Sequence, residues 1–348
     1  MSARPTAPAA PPERADGSRT RFAHRLWLAR EFGIVVALGL LVLVTAVDNP
    51  AFLSPQSLRD LALGAAVLVV LAVGQTAVII SRNVDLSVGA VLGLAAFATG
   101  KLLSSAPGTP TAVVVLVGTG LGAVCGAVNG ALVAAARVPA LVITLGTLYA
   151  FRGVDHSWAR GQQVNASDMP RSFLALGTRT VLGVPVLAVI ALVVTLVVGF
   201  YLRSYRSGRE LYAIGSEPVA ARLSGIAVGR RVFTSFVLCG ALAGLAGVLY
   251  AARFGTVDAT AGTGIELQVV AAAVVGGVAI FGGSGSVHGA ALGALLLTTI
   301  GSSLAVLRIN PFWQQAVVGG LILAAIGLDR LLAVRAANRL RGRSSHGA

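Results

Sequence analysis

The side chains able to do chemistry in this chain are polar groups set inside or beside long apolar runs. They are Gln75, Asn83, Asp85, Ser87, Asn129, Thr144, Thr147, Glu266, Gln268, Gln314 and Gln315. An isolated polar or ionisable group in hydrocarbon is costly, so each of these marks either a solute path or a packing contact. Arg82 and Asp85 stand three residues apart and are spaced to pair with each other or to cap an element. Asp85 can equally face a path. The set has no repeated Asp/Glu/His relay inside the runs, which weighs against proton-coupled carriage.

Enzyme chemistry has little to stand on. There is no His-Glu-x-x-His, no Gly-x-Ser-x-Gly and no Cys/His dyad, and the four histidines (His24, His156, His288, His346) are scattered. A phosphate-cradling loop needs Gly-Lys-Ser/Thr, whereas the single lysine, Lys101, precedes Leu102. Cys125 and Cys239 lie in apolar runs and read as buried small hydrophobes, not as a disulfide or metal pair. No Cys/His cluster with metal-ligand spacing is present, so no metal is expected.

The elements that must position these groups are membrane helices. The chain has 348 residues, 56% hydrophobic and only 11% charged, with a mean hydropathy of +0.84. Soluble domains carry roughly 25% charged residues. The apolar runs are unbroken rather than alternating, which argues for helices and against a β-barrel. The expected fold is therefore all-α and polytopic. Ten runs are expected as spans: 32–47, 61–80, 86–103, 111–136, 138–151, 180–202, 232–252, 267–281, 287–307 and 312–331. The third, fifth and eighth are shorter than the roughly 20 residues that cross a bilayer. Short or broken helices beside Gly-rich breaks are tolerated where protein or water shields the backbone, so these are expected to be re-entrant or to line a path.

The net charge is +14, nearly all from arginine. The arginines cluster at run ends and in loops, which is the positive-inside pattern and not the footprint of a nucleic-acid partner. With ten spans both termini fall inside the cell, together with the Arg-rich 203–231 loop, while the nearly charge-balanced 152–179 segment falls outside. The expected organisation is a disordered tail over 1–20, a transmembrane domain over 21–335 and a basic cytoplasmic tail over 336–348. A weak repeat also appears at an offset of 200, where 78–93 and 278–293 match at six of sixteen positions. Gly122-x3-Gly126-x3-Gly130, Gly118-x-Gly120-x-Gly122 and Gly240-x3-Gly244 predict close backbone packing.

One stretch is not built for lipid: Arg209-Glu-Leu-Tyr-Ala-Ile-Gly-Ser-Glu-Pro-Val-Ala-Ala-Arg-Leu-Ser-Gly-Ile226. It reads as a short capped helix, with Ser216 as N-cap, Glu217 and Pro218 in the first turn, and Gly225 as the left-handed stop. Its small face, Ala220 and Ala221, is expected to admit another protein. The alternative is a plain basic cytoplasmic loop. A pore with no ATP site of its own needs such a docking surface if its transport is ATP-driven.

The same stretch resembles the cytoplasmic coupling segment of the ribose/rhamnose-type sugar ABC permeases. So do Val84-Asp-Leu-Ser-Val-Gly89, Asn129-Gly130, Pro139-Ala-Leu-Val-Ile-Thr-Leu-Gly-Thr147, Gly262-Thr-Gly-Ile-Glu-Leu267 and Phe281-Gly-Gly-Ser-Gly285. The resemblance spans about 60–330. Arg82-Asn83 and Gln163-Val-Asn-Ala166 look more like the rhamnose branch. The resemblance implies a type II importer fold and a non-catalytic plasma-membrane subunit that pairs with a second permease, alike or different. It also implies a cytoplasmic ATPase that carries ATP and Mg, and an extracytoplasmic sugar-binding protein. It places ATPase coupling on Tyr212, Gly215, Ser216, Glu217, Ala220, Ala221, Arg222, Ser224 and Gly225. Candidates for the translocation path are Gln75, Asn83, Asp85, Ser87, Asn129, Thr144, Thr147 and Glu266. Rhamnose is the first expectation for the cargo, with autoinducer-2, ribose, xylose or a branched-chain amino acid as alternatives. A carrier or channel acting without an ATPase is the alternative of another class.

Overall fold

The computed structural model describes residues 17–136, 138–310, 312–324 and 327. Its helices are α1 (Gly17–Asp48), α2 (Pro55–Ile80), α3 (Val88–Ser105), α4 (Thr111–Ala136), α5 (Ala140–Ala159), α6 (Arg171–Thr178), α7 (Val186–Ser204), α8 (Arg206–Ser216), α9 (Pro218–Leu223), α10 (Val228–Phe254), α11 (Ile265–Val275), α12 (Val287–Val306) and α13 (Trp313–Ala324). A two-residue hairpin, β1 (Thr180–Val181) with β2 (Val184–Pro185), precedes α7.

Each of the ten apolar runs contains a helix, but the boundaries move. Among the described residues, six helices are long and apolar enough to cross a membrane: α2, α3, α4, α7, α10 and α12. α5 is longer than its run because it continues through the polar Asp155 and His156 and stops at Arg160, which is left-handed (φ 49). α11 is only eleven residues long, so the eighth run is a half-helix followed by an irregular break. The sixth run starts as the β1–β2 hairpin, not as helix. The expected disordered tail over 1–20 is corrected at its end, because α1 already includes Gly17 to Thr20. Residues 1–16 and the basic tail at 336–348 lie outside the described residues.

α10 is the central post, packed along α4, α3 and α2. Its contact with α4 is a seam of glycines. A Cβ on Gly122 would overlap the Gly240 carbonyl oxygen, and one on Gly126 would overlap the Phe236 carbonyl. Gly240 and Gly244 meet Gly122 and Gly118 in the same way. The four-residue spacing makes the seam, as small-x3-small packing requires. Gly120, at the two-residue spacing, faces open space. α2 is the most enclosed span, with every residue from Ala65 to Ile80 except Val69 buried.

The breaks at 81–87 and 276–286 resemble each other locally and also touch. Arg82 N–H donates to Ile79 O at 2.8 Å, and Gly282 N–H donates to Ala279 O at 2.9 Å, two hundred residues on. Both residues are left-handed, at φ 67 and φ 83. A Cβ on Gly282 would lie 3.0 Å from Arg82 Cα, and Gly283 N–H donates to Ile80 O at 2.9 Å. The weak sequence match therefore has a structural counterpart.

The glycine seam makes a clear prediction. Gly122→Val should lower thermal stability in detergent by about 3 kcal/mol or abolish assembly, while Gly120→Ala should be neutral. Equal melting of the two variants by size-exclusion thermal scan would contradict the seam.

Candidate functional site

The break between α2 and α3 gathers most of the expected polar residues into one buried cluster. Asp85 is 1% exposed. Its Oδ1 accepts from Ser87 N–H at 2.8 Å and from the Ser87 hydroxyl at 2.7 Å. The first bond closes an Asx turn that swings the chain into α3 and does the work of an N-cap, since Ser87 makes no side-chain cap bond. Asn129, on α4, donates to the Ser87 hydroxyl at 2.7 Å and more weakly to both Asp85 oxygens, at 3.3 and 3.4 Å. With its amide turned to satisfy both ends, Gln75 on α2 donates to the Asp85 carbonyl at 3.3 Å and accepts from Asp85 N–H at 3.1 Å. Thr144, on α5, donates to the Val84 carbonyl at 3.2 Å. Four helices are thus tied to one irregular segment.

The other expected path residues are placed differently. Asn83 bonds locally to the Ser81 carbonyl and hydroxyl. Thr147 donates to Thr144 O, within its own helix. Glu266 opens α11 against the first turn of α3, with Oε2 2.5 Å from where a Gly89 Cβ would stand. This oxygen is buried and has no hydrogen-bond partner among the described residues. The pairing of Arg82 with Asp85 does not form. The left-handed Arg82 is exposed, whereas Asp85 turns inward to Ser87 and Asn129. Gln75, Asp85, Ser87, Asn129 and Thr144 are essentially inaccessible in this conformation, so they act together as a latch between helices.

The soluble stretch is two helices, α8 and α9, set at a bend. Ser216 is the last residue of α8, not an N-cap. The cap of α9 is Glu217, which is extended (φ −153, ψ 96), and its carboxylate accepts from Val219 N–H at 3.4 Å. Pro218 explains this. It is a good first helical residue, and it drives the residue before it out of the helical region. Gly225 is left-handed at φ 78, as expected, and closes the end of α9.

The nine residues expected to couple divide into two groups. Tyr212, Gly215 and Ala221 face the membrane body. The Tyr212 hydroxyl donates to the Gly285 carbonyl at 3.2 Å, and burial pushes its pKa up to about 12. A Cβ on Gly215 would overlap the Ile80 carbonyl and lie against Gly283 N. Ala221 is 4% exposed, so it belongs to the core and not to a docking face. Ser216, Glu217, Ala220, Arg222, Ser224 and Gly225 are exposed. The outward apolar residues are Val219 (64% exposed) and Leu223 (85%), which the emphasis on small residues missed. Their i, i+4 spacing was the available signal. Glu210 fastens α8 to α10: it pairs with Arg206 at 2.8 Å and more closely with Arg231. The Arg231 hydrogen bond holds the Glu210 carboxyl below its ordinary pKa.

Among the described residues, no group of three His, Cys, Asp or Glu is arranged to hold a metal, and Cys125 and Cys239 are buried and free. The family described as "Branched-chain amino acid transport system / permease component" matches residues 57–326. This chain belongs to that permease family. It is 37% identical over 298 residues to the "Autoinducer 2 import system permease protein LsrC" of Enterobacter sp. (strain 638), covering 86% of this chain and 83% of that one. It is 37% identical over 300 residues to the same-named protein of Klebsiella pneumoniae, covering 86% of each chain. With that of Escherichia coli (strain K12 / DH10B) it shares 34% over 312 residues, 90% of each. No solved structure matches the chain. It is a multi-pass permease subunit of the sugar-type ABC importer class.

The latch predicts a stability effect. Asn129→Ala removes the donor to Ser87 and Asp85 and should cost about 2 kcal/mol in detergent unfolding, with Asn129→Gln recovering little because of the added length. An unchanged midpoint for Asn129→Ala would contradict the latch.

Proposed function

We propose that this chain is the membrane subunit of an ABC importer for autoinducer-2. The observation that carries this reading is the identity of 34–37% with autoinducer-2 import permeases along 86–90% of the chain. These relatives favour autoinducer-2, one of the alternative cargoes, over the first expectation of rhamnose.

The subunit works in the plasma membrane with both termini inside the cell, an orientation supported by the Arg excess of the 203–231 loop. A cytoplasmic ATPase, holding ATP and Mg, docks on the outward face of α9 through Val219, Ala220 and Leu223. A second permease completes the path, and an extracytoplasmic binding protein delivers cargo. The geometry supports transmission in a specific way. α8 touches the end of α2 and the 276–286 break at one point through Gly215, and Tyr212 reaches Gly285. A push on α9 passes through α8 to both breaks. The break at 81–87 carries the Asp85 latch, so rearranging it repacks α2, α3, α4 and α5 together. Access then alternates between the two sides.

The test is uptake into proteoliposomes holding the complete transporter. Autoinducer-2 uptake should require ATP and the ATPase, and Leu223→Asp should reduce it by about tenfold or more with normal membrane insertion. Autoinducer-2 flux through the permeases without ATPase would overturn the importer reading in favour of a carrier. Normal uptake by Leu223→Asp would overturn the docking assignment.

A further inference from the structure

A cleft of about 420 Å³ opens among α2, α10, α11, α12 and α13. It lies at the far end of α10 from the coupling segment. α10 begins beside α9 and has 27 residues, so the two ends are about 40 Å apart. Arg253 and Tyr250 line the cleft near the finish of α10, Asp60 near the start of α2, Gln268 on the first turn of α11 and Gln314 near the start of α13. With the coupling segment in the cytoplasm, the cleft faces the side from which cargo arrives.

Its chemistry is unusual for a gap between membrane helices. The side chains of Gln268, Ser302 and Gln314 make no hydrogen bond among the described residues. Arg253 is half-buried and also has none. Its guanidinium stacks on the Phe254 ring at 4.6 Å and feels the Asp60 carboxylate electrostatically. Gly64 leaves the space beside that guanidinium open, since a Cβ there would stand 3.4 Å from it. Gln56 donates to both Asp60 oxygens at 3.1 Å and holds the carboxylate at the rim.

Two amides, a hydroxyl and a guanidinium with unused hydrogen-bonding capacity around one cleft make a recognition site for a ligand bearing several oxygens. One guanidinium and one carboxylate leave the site close to neutral, which favours a ligand without net charge. An aliphatic amino acid could answer Arg253 and Asp60 but would leave the amides unpaired, which is how a polar pocket rejects a ligand lacking its partners.

We propose that this cleft is a binding station for a small neutral polyhydroxylated carbonyl compound, held by Arg253, Gln268, Ser302 and Gln314 on its way to the path. The proposal rests on the import reading above and adds a place and a contact set to it.

The test uses the complete transporter in right-side-out vesicles without the binding protein. Ser302→Cys, or Thr298→Cys if that variant fails to assemble, is exposed to a membrane-impermeant thiol reagent. The native Cys125 and Cys239 are buried and give little background. The cysteine should react from outside, and autoinducer-2 should slow the reaction by roughly threefold or more. Adding Gln268→Ala and Gln314→Ala should remove that protection. Absence of reaction, or no protection by autoinducer-2 in vesicles that import it once the binding protein is added back, overturns the station and leaves the import reading intact. Protection by ribose and not by autoinducer-2 upholds the station and overturns the cargo. Protection by leucine overturns the polyhydroxylated ligand class.

Discussion

The structure depends on how the last carbonyl of α2 is used. The final carbonyls of a helix have no partner within the helix, and in a membrane protein they cannot be left to hydrocarbon. Ile80 O accepts from Gly283 N–H, and this fixes the end of α2 to the break after α11. Gly215 of α8 presses on the same carbonyl, with no room for a methyl group. One point thus joins two interrupted membrane segments and the soluble segment. Because each part meets backbone, the joint has no flexible side chain to absorb a displacement.

Two further arrangements turn this joint into a device. The Asp85 latch ties the 81–87 break to α2, α4 and α5, so movement at Ile80 reaches a whole group of helices. The glycine seam between α4 and α10 gives that group a close-packed surface against the central post. The two differ in character. The latch is directional and polar, made of bonds that break as units. The seam is apolar and close-packed, backbone against backbone, with the Val248 side chain seated on Gly118. The similar turns at Arg82 and Gly282 place the two breaks back to back.

Much of this was legible in the sequence. Each of the ten hydropathy runs holds a helix, and six of these are long and apolar enough among the described residues to cross a membrane, because hydrocarbon imposes composition residue by residue. The half-helix α11 followed from a run too short to span. Gly225 followed from its backbone freedom. What the sequence concealed were directions. Arg82 and Asp85 look paired by spacing, but a left-handed turn at Arg82 sends their side chains apart. Ala220 and Ala221 look equivalent, yet one is exposed and the other is in the core, because α9 presents only one face outward. Ser216 looked like a cap, but the helix ahead of it, fastened by Glu210 to Arg206 and Arg231, runs on through it. Pro218 already held the information that the extended residue is Glu217. The cleft at Arg253 brings α2 against the consecutive helices α10 to α13, and no local pattern marks it.

The central claim is that force enters through α8 at Gly215. The direct measurement is the ratio of cargo imported to ATP hydrolysed by the reconstituted transporter, compared between the native chain and Gly215→Ala. The added methyl group separates α8 from Ile80 and Gly283 without touching the outward face of α9. The account predicts that ATP hydrolysis continues while the import ratio falls by about tenfold. An unchanged ratio would contradict it.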